Sequence, residues 1–306
     1  MIIRKHNLTK WQFLINLIFK STTMKNVVFT LSLVLTFIFV FAYCDKEQTT
    51  PVKSAINYTV VLDLSDRILL PNQLDKDLYL IENYFKSFEE HSRRNLVLTS
   101  KNRFSVKIIP QKNSPLNVEH YEDLLKIYLD ETAVKDKNKS LLALSQSLPK
   151  ILENLKKEAL YGKKSSNYFG VDIWAYLHDN GKRLSKAGYD NNVLVLTDGY
   201  FDFESQSHVI QNKNQYTSTR FLNELTIADW KQISESKGYG LLPIELEKNT
   251  NWIIAGISGK KTNDILQTEK ITYFWKKWLT QSGVATSQFV LNGSKTEMSS
   301  QLVSQL

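Results

Sequence analysis

Tyr58-Thr59-Val60-Val61-Leu62-Asp63-Leu64-Ser65-Asp66-Arg67 is the stretch on which the fold turns. Its first five residues are apolar or β-branched and run without alternation into a polar turn. Such a run, closed by turn residues, predicts a strand buried on both faces. Downstream, 76–94 spaces Leu78, Ile81, Tyr84, Phe85 and Phe88 three and four apart, which predicts an amphipathic helix. Residues 103–109 (RFSVKII) predict a second strand, and 118–129, 139–160 and 169–184 predict helices. Another short buried strand falls at 192–197 (NVLVLT), and it too ends in an acid and a glycine, Asp198-Gly199. Residues 252–257 (WIIAGI) form the next strand, 271–281 a helix rich in tryptophan, and 287–291 (SQFVL) a closing strand. Strands alternating with helices predict an α/β fold with a mostly parallel central sheet and helices on both faces. The stretch 205–218 (SQSHVIQNKNQYTS) is polar and aperiodic, so it reads as an inserted loop.

Composition is ordinary for a globular chain. Of 306 residues, 42% are hydrophobic and 23% charged, which excludes collagen-like, coiled-coil and wholly disordered organisation. The lone cysteine, Cys44, excludes an intramolecular disulfide and any four-thiolate zinc or iron–sulfur centre. Formal charge is +8, from 39 basic and 31 acidic residues. Residues 1–44 hold Arg4, Lys5, Lys10, Lys20 and Lys25 and no acid, and removing these five leaves 34 basic against 31 acidic residues. So even a balance is no nucleic-acid footprint, and no nucleic-acid partner is expected.

The excess belongs to a targeting segment. Residues 27–43 (VVFTLSLVLTFIFVFAY) carry no charge, and their 17 positions reach the lower edge of what crosses a membrane. Met24-Lys25 precedes them and Cys44 ends them, the layout of a secretory signal over 1–44. Phe41-Ala42-Tyr43-Cys44 resembles a bacterial lipobox, which implies an acylated Cys44 holding the chain to a lipid membrane. Tyr43 departs from the Gly, Ala or Ser usual there, and an uncleaved N-terminal anchor is the alternative. Either reading tethers the rest outside the cytoplasm. Met24 reads as the natural start, with the apolar patch 11–19 an upstream extension; the alternative is a long, irregular n-region. Residues 45–57 open polar and aperiodic and read as a tether. Their acids resemble the surface-export tags of lipoproteins in the Bacteroidetes, which implies the cell envelope, at an outer membrane facing periplasm or surface.

In open α/β sheets, ligands bind beyond the carboxyl ends of the strands. Asp63 and Asp198 both fall at such ends. Val61-Leu62-Asp63-Leu64-Ser65-Asp66-Arg67 resembles the D-x-S-x-S turn of von Willebrand factor A domains, and Val195-Leu196-Thr197-Asp198-Gly199 resembles the T-D-G that closes the same site. Gly170-Val171-Asp172-Ile173-Trp174-Ala175 stands where that family has a G-T-D-like helix start. The resemblance spans about 58–291, and each of its motifs is short. It implies a von Willebrand factor A-like domain over 58–306 carrying a metal-ion-dependent adhesion site. Such a site holds Mg²⁺ or another divalent cation by hard oxygen donors and leaves one position open for a partner's carboxylate. By the same resemblance Asp63 and Ser65 are ligands, and Asp198 acts through water or as an outer acceptor. Two donors are replaced, the second serine by Arg67 and the threonine by Val171, although Ser165, Ser166 or Asp172 could substitute for the latter.

Arg67 admits two outcomes, because a guanidinium is always charged and cannot ligate a cation. Pointing inward near Asp63 and Asp198, it would neutralise them in the metal's place, with ~4 kcal/mol of attraction for a close pair at an effective dielectric near 20. Pointing outward, it would leave Asp63, Ser65 and Asp198 to hold a weak, water-rich cation.

Other motifs point nowhere further. Gly256-Ile257-Ser258-Gly259-Lys260-Lys261-Thr262 lacks the glycine a phosphate loop needs at position 254, which is Ile254. There is no G-x-S-x-G elbow. His91, His120, His178 and His208 have no metal-ligand spacing. Trp252, Phe274, Trp275 and Trp278 sit at core spacing, and Lys156, Lys157, Lys163 and Lys164 read as a solvated connector. The expectation is a membrane-anchored binding module for a protein partner in the envelope, not an enzyme. Its adhesion site is degenerate, with the cation weak or absent and a lid formed by 205–218 and the loop after Asp63. The alternatives are a metal-assisted, phosphoesterase-like hydrolase using Asp63, Asp66 and Asp198, and a structural envelope subunit with a vestigial site.

Overall fold

β1 (Ile56–Asp63) lies in the middle of the sheet because its two faces feed two separate cores. Tyr58, Val60 and Leu62 point into one, and Val61 points into the other. After a single 3-10 turn, Asp66–Leu69, the chain enters α1 (Gln73–Arg94). The apolar stripe of α1, with Leu74, Leu78, Ile81, Phe85 and Phe88, packs on the first core. There follow β2 (Arg103–Ile109), α2 (Val118–Leu124), β3 (Lys126–Tyr128) and α3 (Lys137–Ala159). Next are α4 (Ile173–Asn180), β4 (Asp190–Leu196), the short strands β5 (Gln211–Asn212) and β6 (Gln215–Tyr216), α5 (Trp230–Lys237) and β7 (Gly240–Leu241). The chain closes with β8 (Thr250–Ile257), α6 (Gln267–Gln281), β9 (Thr286–Leu291) and α7 (Lys295–Val303).

These elements come from a computed structural model that describes residues 54–94, 96–161, 168–203, 209–226, 228–260 and 266–306. Ser54–Leu306 forms one compact unit. The targeting segment, Cys44 and most of the tether lie outside the described residues, as do Lys163, Lys164, Ser165, Ser166 and His208. Among the described residues, no helix is long and apolar enough to cross a membrane.

The main sheet has the order β3-β2-β1-β4-β8-β9, parallel throughout except at β3. Side chains of α1, α3 and α7 fill the first core, and those of α4, α5 and α6 fill the second. Helices therefore cover both faces, as expected. Winding proceeds outward from β1 in both directions, so the switch point lies between β1 and β4. That is where ligands bind in doubly wound sheets.

Several boundaries differ from the sequence reading. The expected helix 118–129 stops at Leu124, and the chain turns into β3, pairing antiparallel with β2. Burial of Ile127 and the Arg103 guanidinium 3.6 Å from the Tyr128 ring centre favour the extended form there. Helix 169–184 is shorter, since α4 starts at Ile173 and ends in a 3-10 turn over Gly181–Leu184. β1 starts at Ile56, inside the span read as tether. Within 205–218, residues 205–208 lie outside the described set, but the remainder is no irregular loop. β5 and β6 form a hairpin there, and β6 pairs with β7 to complete a small three-stranded sheet. Tyr216 stacks on Phe221 with ring centroids 5.5 Å apart, which anchors the hairpin to the second core.

Candidate functional site

Pairing of Leu62 with Leu196 puts Asp63 and Thr197-Asp198 at one edge of the sheet. The Thr197 hydroxyl ties them together by donating to Asp63 Oδ2 at 2.9 Å. The other Asp63 oxygen accepts from Ser65 N at 2.8 Å, an Asx-type turn that sets the path of the chain out of β1. Asp198 is held in the same fashion: its Oδ1 accepts from Tyr200 N at 3.1 Å. Gly199, at φ +93°, carries the chain away, where a Cβ would meet Ile271 at 2.5 Å. Trp275 braces this turn, its Nε1 donating to Gly199 O at 2.8 Å. The two acids read from separate strand ends thus share one rim.

Beneath the rim lies Arg67, its side chain fully buried. Of the two outcomes open for it, it points inward. Its main partner is Asp77 rather than Asp63 or Asp198, which corrects the sequence reading. Nη1 donates to Asp77 Oδ2 at 2.7 Å and Nη2 to Oδ1 at 3.1 Å, a bidentate pair. Nη1 also donates to Asp63 O at 3.2 Å, and Gln73 Nε2 donates to Asp77 Oδ1 at 3.0 Å. Gly256, at φ +98°, makes room: a Cβ there would stand 3.0 Å from both Arg67 Nη2 and Thr197 O. Asp77 escapes the motif reading although it leaves a signal in the sequence. It interrupts the buried stripe Leu74, Leu78, Ile81 with a carboxylate, and a carboxylate on a buried helix face requires a cation.

A second cation stands at the top. Lys260 Nζ lies 3.4 Å from Asp198 Oδ2, an ion contact to an oxygen that is buried and otherwise unbonded among the described residues. The ammonium also lies 4.4 Å from the centre of the Tyr200 ring, while Lys260 N donates to the Tyr200 hydroxyl at 3.1 Å. No motif points to Lys260, which stands in the stretch that fails as a phosphate loop.

Electrostatics follow from burial and these neighbours. Burial drives the Asp63 carboxyl up to about 6; Arg67 opposes the shift and Asp198 adds to it. Asp77 is likewise raised by burial against the pull of Arg67. Burial alone would lower Arg67, but Asp77, Asp63 and Asp198 outweigh it and raise it above its ordinary range. Lys260 follows the same pattern, with burial opposing and Asp198, Asp66 and Asp202 prevailing.

The remaining sequence candidates are distributed as follows. Ser65 is buried and precedes the 3-10 turn without a capping bond from its side chain. Asp66 is exposed, with its N–H donating to Phe169 O at 3.0 Å. Val171 is buried in the second core. Asp172 caps α4, accepting from Ala175 N at 2.9 Å. Among the described residues, no three His, Cys, Asp or Glu side chains are grouped to hold a metal ion. Comparison of the chain with protein-family models, with curated proteins and with solved structures found no match.

Proposed function

We propose that the chain is an envelope-tethered protein-binding module resembling a von Willebrand factor A domain, whose adhesion rim works without a metal. The observation that carries this reading is the buried Arg67–Asp77 pair under the Asp63–Thr197–Asp198 rim. Arg67 occupies a position at which the resemblance calls for an oxygen donor. Lys260 places a second fixed positive charge against the remaining carboxylate. A divalent cation would have to displace that ammonium and sit near a permanently charged guanidinium, which the donor set does not compensate. Val171 removes one more oxygen. The rim lies at the switch point of the sheet, where ligands bind in open α/β folds. Acylation of Cys44 would supply the membrane tether.

Capture from envelope extract with the full chain tests this. Partners should be retained in EDTA and lost with Asp198→Ala. An unchanged partner set in Asp198→Ala, or loss of partners in EDTA, would overturn it. Turnover of p-nitrophenyl phosphate that requires added Mg²⁺ or Mn²⁺ and disappears in Asp198→Asn would replace it with the hydrolase reading.

A further inference from the structure

The geometry points to a basic side chain of the protein partner, an arginine above all, as what this rim receives, with Lys260 its resident stand-in. This rests on the binding-module reading and adds the chemistry of the partner.

Asp198 Oδ2 is the first observation. The side chain is only 5% exposed, yet among the described residues this oxygen has no hydrogen bond, and Lys260 Nζ faces it at 3.4 Å in an ion contact. A buried carboxylate oxygen normally finds a donor, and leaving one without is costly. The loop composition is the second. Three carboxylates act on the Lys260 ammonium: Asp66 from the turn after β1, and Asp198 and Asp202 from the turn after β4. With Asp63 and Asp77 included, five carboxylates stand against two cations, Arg67 and Lys260, among the described residues of the site, which leaves the rim negative. Such a surface attracts cations and repels a partner's acids. The partner chemistry is thus opposite to that of a metal-centred adhesion site.

Lys260 is built to leave. Its backbone N–H is pinned by the Tyr200 hydroxyl, while its side chain is 44% exposed and is held by an ion contact and an aromatic face. A partner's guanidinium would use the same features better. Its planar fork can donate twice to a carboxylate, where an ammonium acts as a point charge. It also stacks on a tyrosine ring more readily than lysine does. Asp202 keeps its place through Ser218 and Thr219, whose hydroxyls donate to its Oδ1 at 3.1 and 2.7 Å.

The test is fluorescence anisotropy of a labelled Gly-Arg-Gly-Arg-Gly peptide and its glutamate counterpart, titrated with the full chain in neutral detergent at low salt. If Lys260 occupies the rim about nine-tenths of the time, its removal raises apparent affinity about tenfold. Lys260→Ala should therefore bind the arginine peptide at least about tenfold more tightly than the wild type. Adding Asp66→Asn, an exposed substitution that leaves the core intact, should reverse several-fold of that gain. The glutamate peptide should bind neither form. Equal affinity of the arginine peptide for the wild type and Lys260→Ala overturns the inference. So does glutamate-peptide binding that is lost in Lys260→Ala, which would make the lysine itself the docking cation. Both outcomes leave the binding-module reading standing, because that reading fails on the separate capture and turnover experiments and not on this one.

Discussion

Replacing Arg67 by methionine removes the positive charge while keeping most of the side chain's bulk. In the native chain the guanidinium and the Asp77 carboxylate are both inaccessible and 2.7 Å apart. At an effective dielectric of about 20, a pair that close attracts by about 6 kcal/mol, against a desolvation penalty of several kcal/mol per ion. The intact pair is therefore close to neutral for stability, and the cost appears when one member is lost. Asp77 would remain buried with only Gln73 donating to it, and Asp63 O would lose its contact with Nη1. An uncompensated buried charge costs about 3–5 kcal/mol. Urea denaturation at pH 7 should show that loss for Arg67→Met. The double variant Arg67→Met/Asp77→Leu should recover most of it, since no buried charge is left unpaired. The single variant's deficit should shrink in acid, where Asp77 takes up a proton. A single-variant cost below about 1 kcal/mol, or a double variant no more stable than the single, would refute the reasoning.

Three further substitutions test the rim and its surroundings. Gly256→Ala forces a Cβ to within 3.0 Å of Arg67 Nη2 and Thr197 O at a positive φ; it should cost about 1–3 kcal/mol and lower the melting temperature by several degrees. Gly188→Ala has a similar backbone, φ +79°, but open space around the new methyl, so a smaller shift in differential scanning calorimetry would isolate the contact with Arg67. Asp63→Asn addresses pH. The folded carboxyl titrates near 6 against an ordinary value of 3.8, so the folded state holds the proton more tightly. Its stabilising effect is full below about pH 4 and is lost as pH rises through 6, on the order of 2–3 kcal/mol. Denaturation across pH 4–7 should show that slope in the wild type and a shallower one in Asp63→Asn, where Asp77 still titrates above its ordinary value.

The reading of 58–62 as a doubly buried strand succeeds because a short apolar run without alternation, closed by turn residues, needs cover on both faces. The same holds for 192–197 and 252–257, and the tryptophan-rich helix falls on the second core at the expected spacing. Departures occur where tertiary contacts decide. Lys126–Tyr128 has a helix-compatible pattern, but pairing with β2 and the Arg103–Tyr128 contact make it a strand. The hairpin β5–β6 is polar because its strands are two residues long at the surface, and Tyr216 and the pairing of β6 with β7 anchor it. At the site, Asp63, Ser65, Thr197 and Asp198 are legible as strand-end polar residues in motif order. Arg67 is legible as a disruption, but its partner is not. Asp77 lies ten residues away on another element, and local spacing does not encode a bidentate pair across a turn. Lys260 is hidden for the same reason: its role depends on the approach of the β8 end to Asp198, which only the folded sheet produces.

Calorimetric titration of the full chain with Mg²⁺, Mn²⁺ and Ca²⁺ tests the proposal of a metal-free rim most directly. With Arg67 and Lys260 supplying the positive charge, no saturable heat should appear below millimolar cation, in the wild type or in Asp198→Asn. A saturable isotherm at micromolar cation that vanishes in Asp198→Asn would contradict it and restore a working cation site.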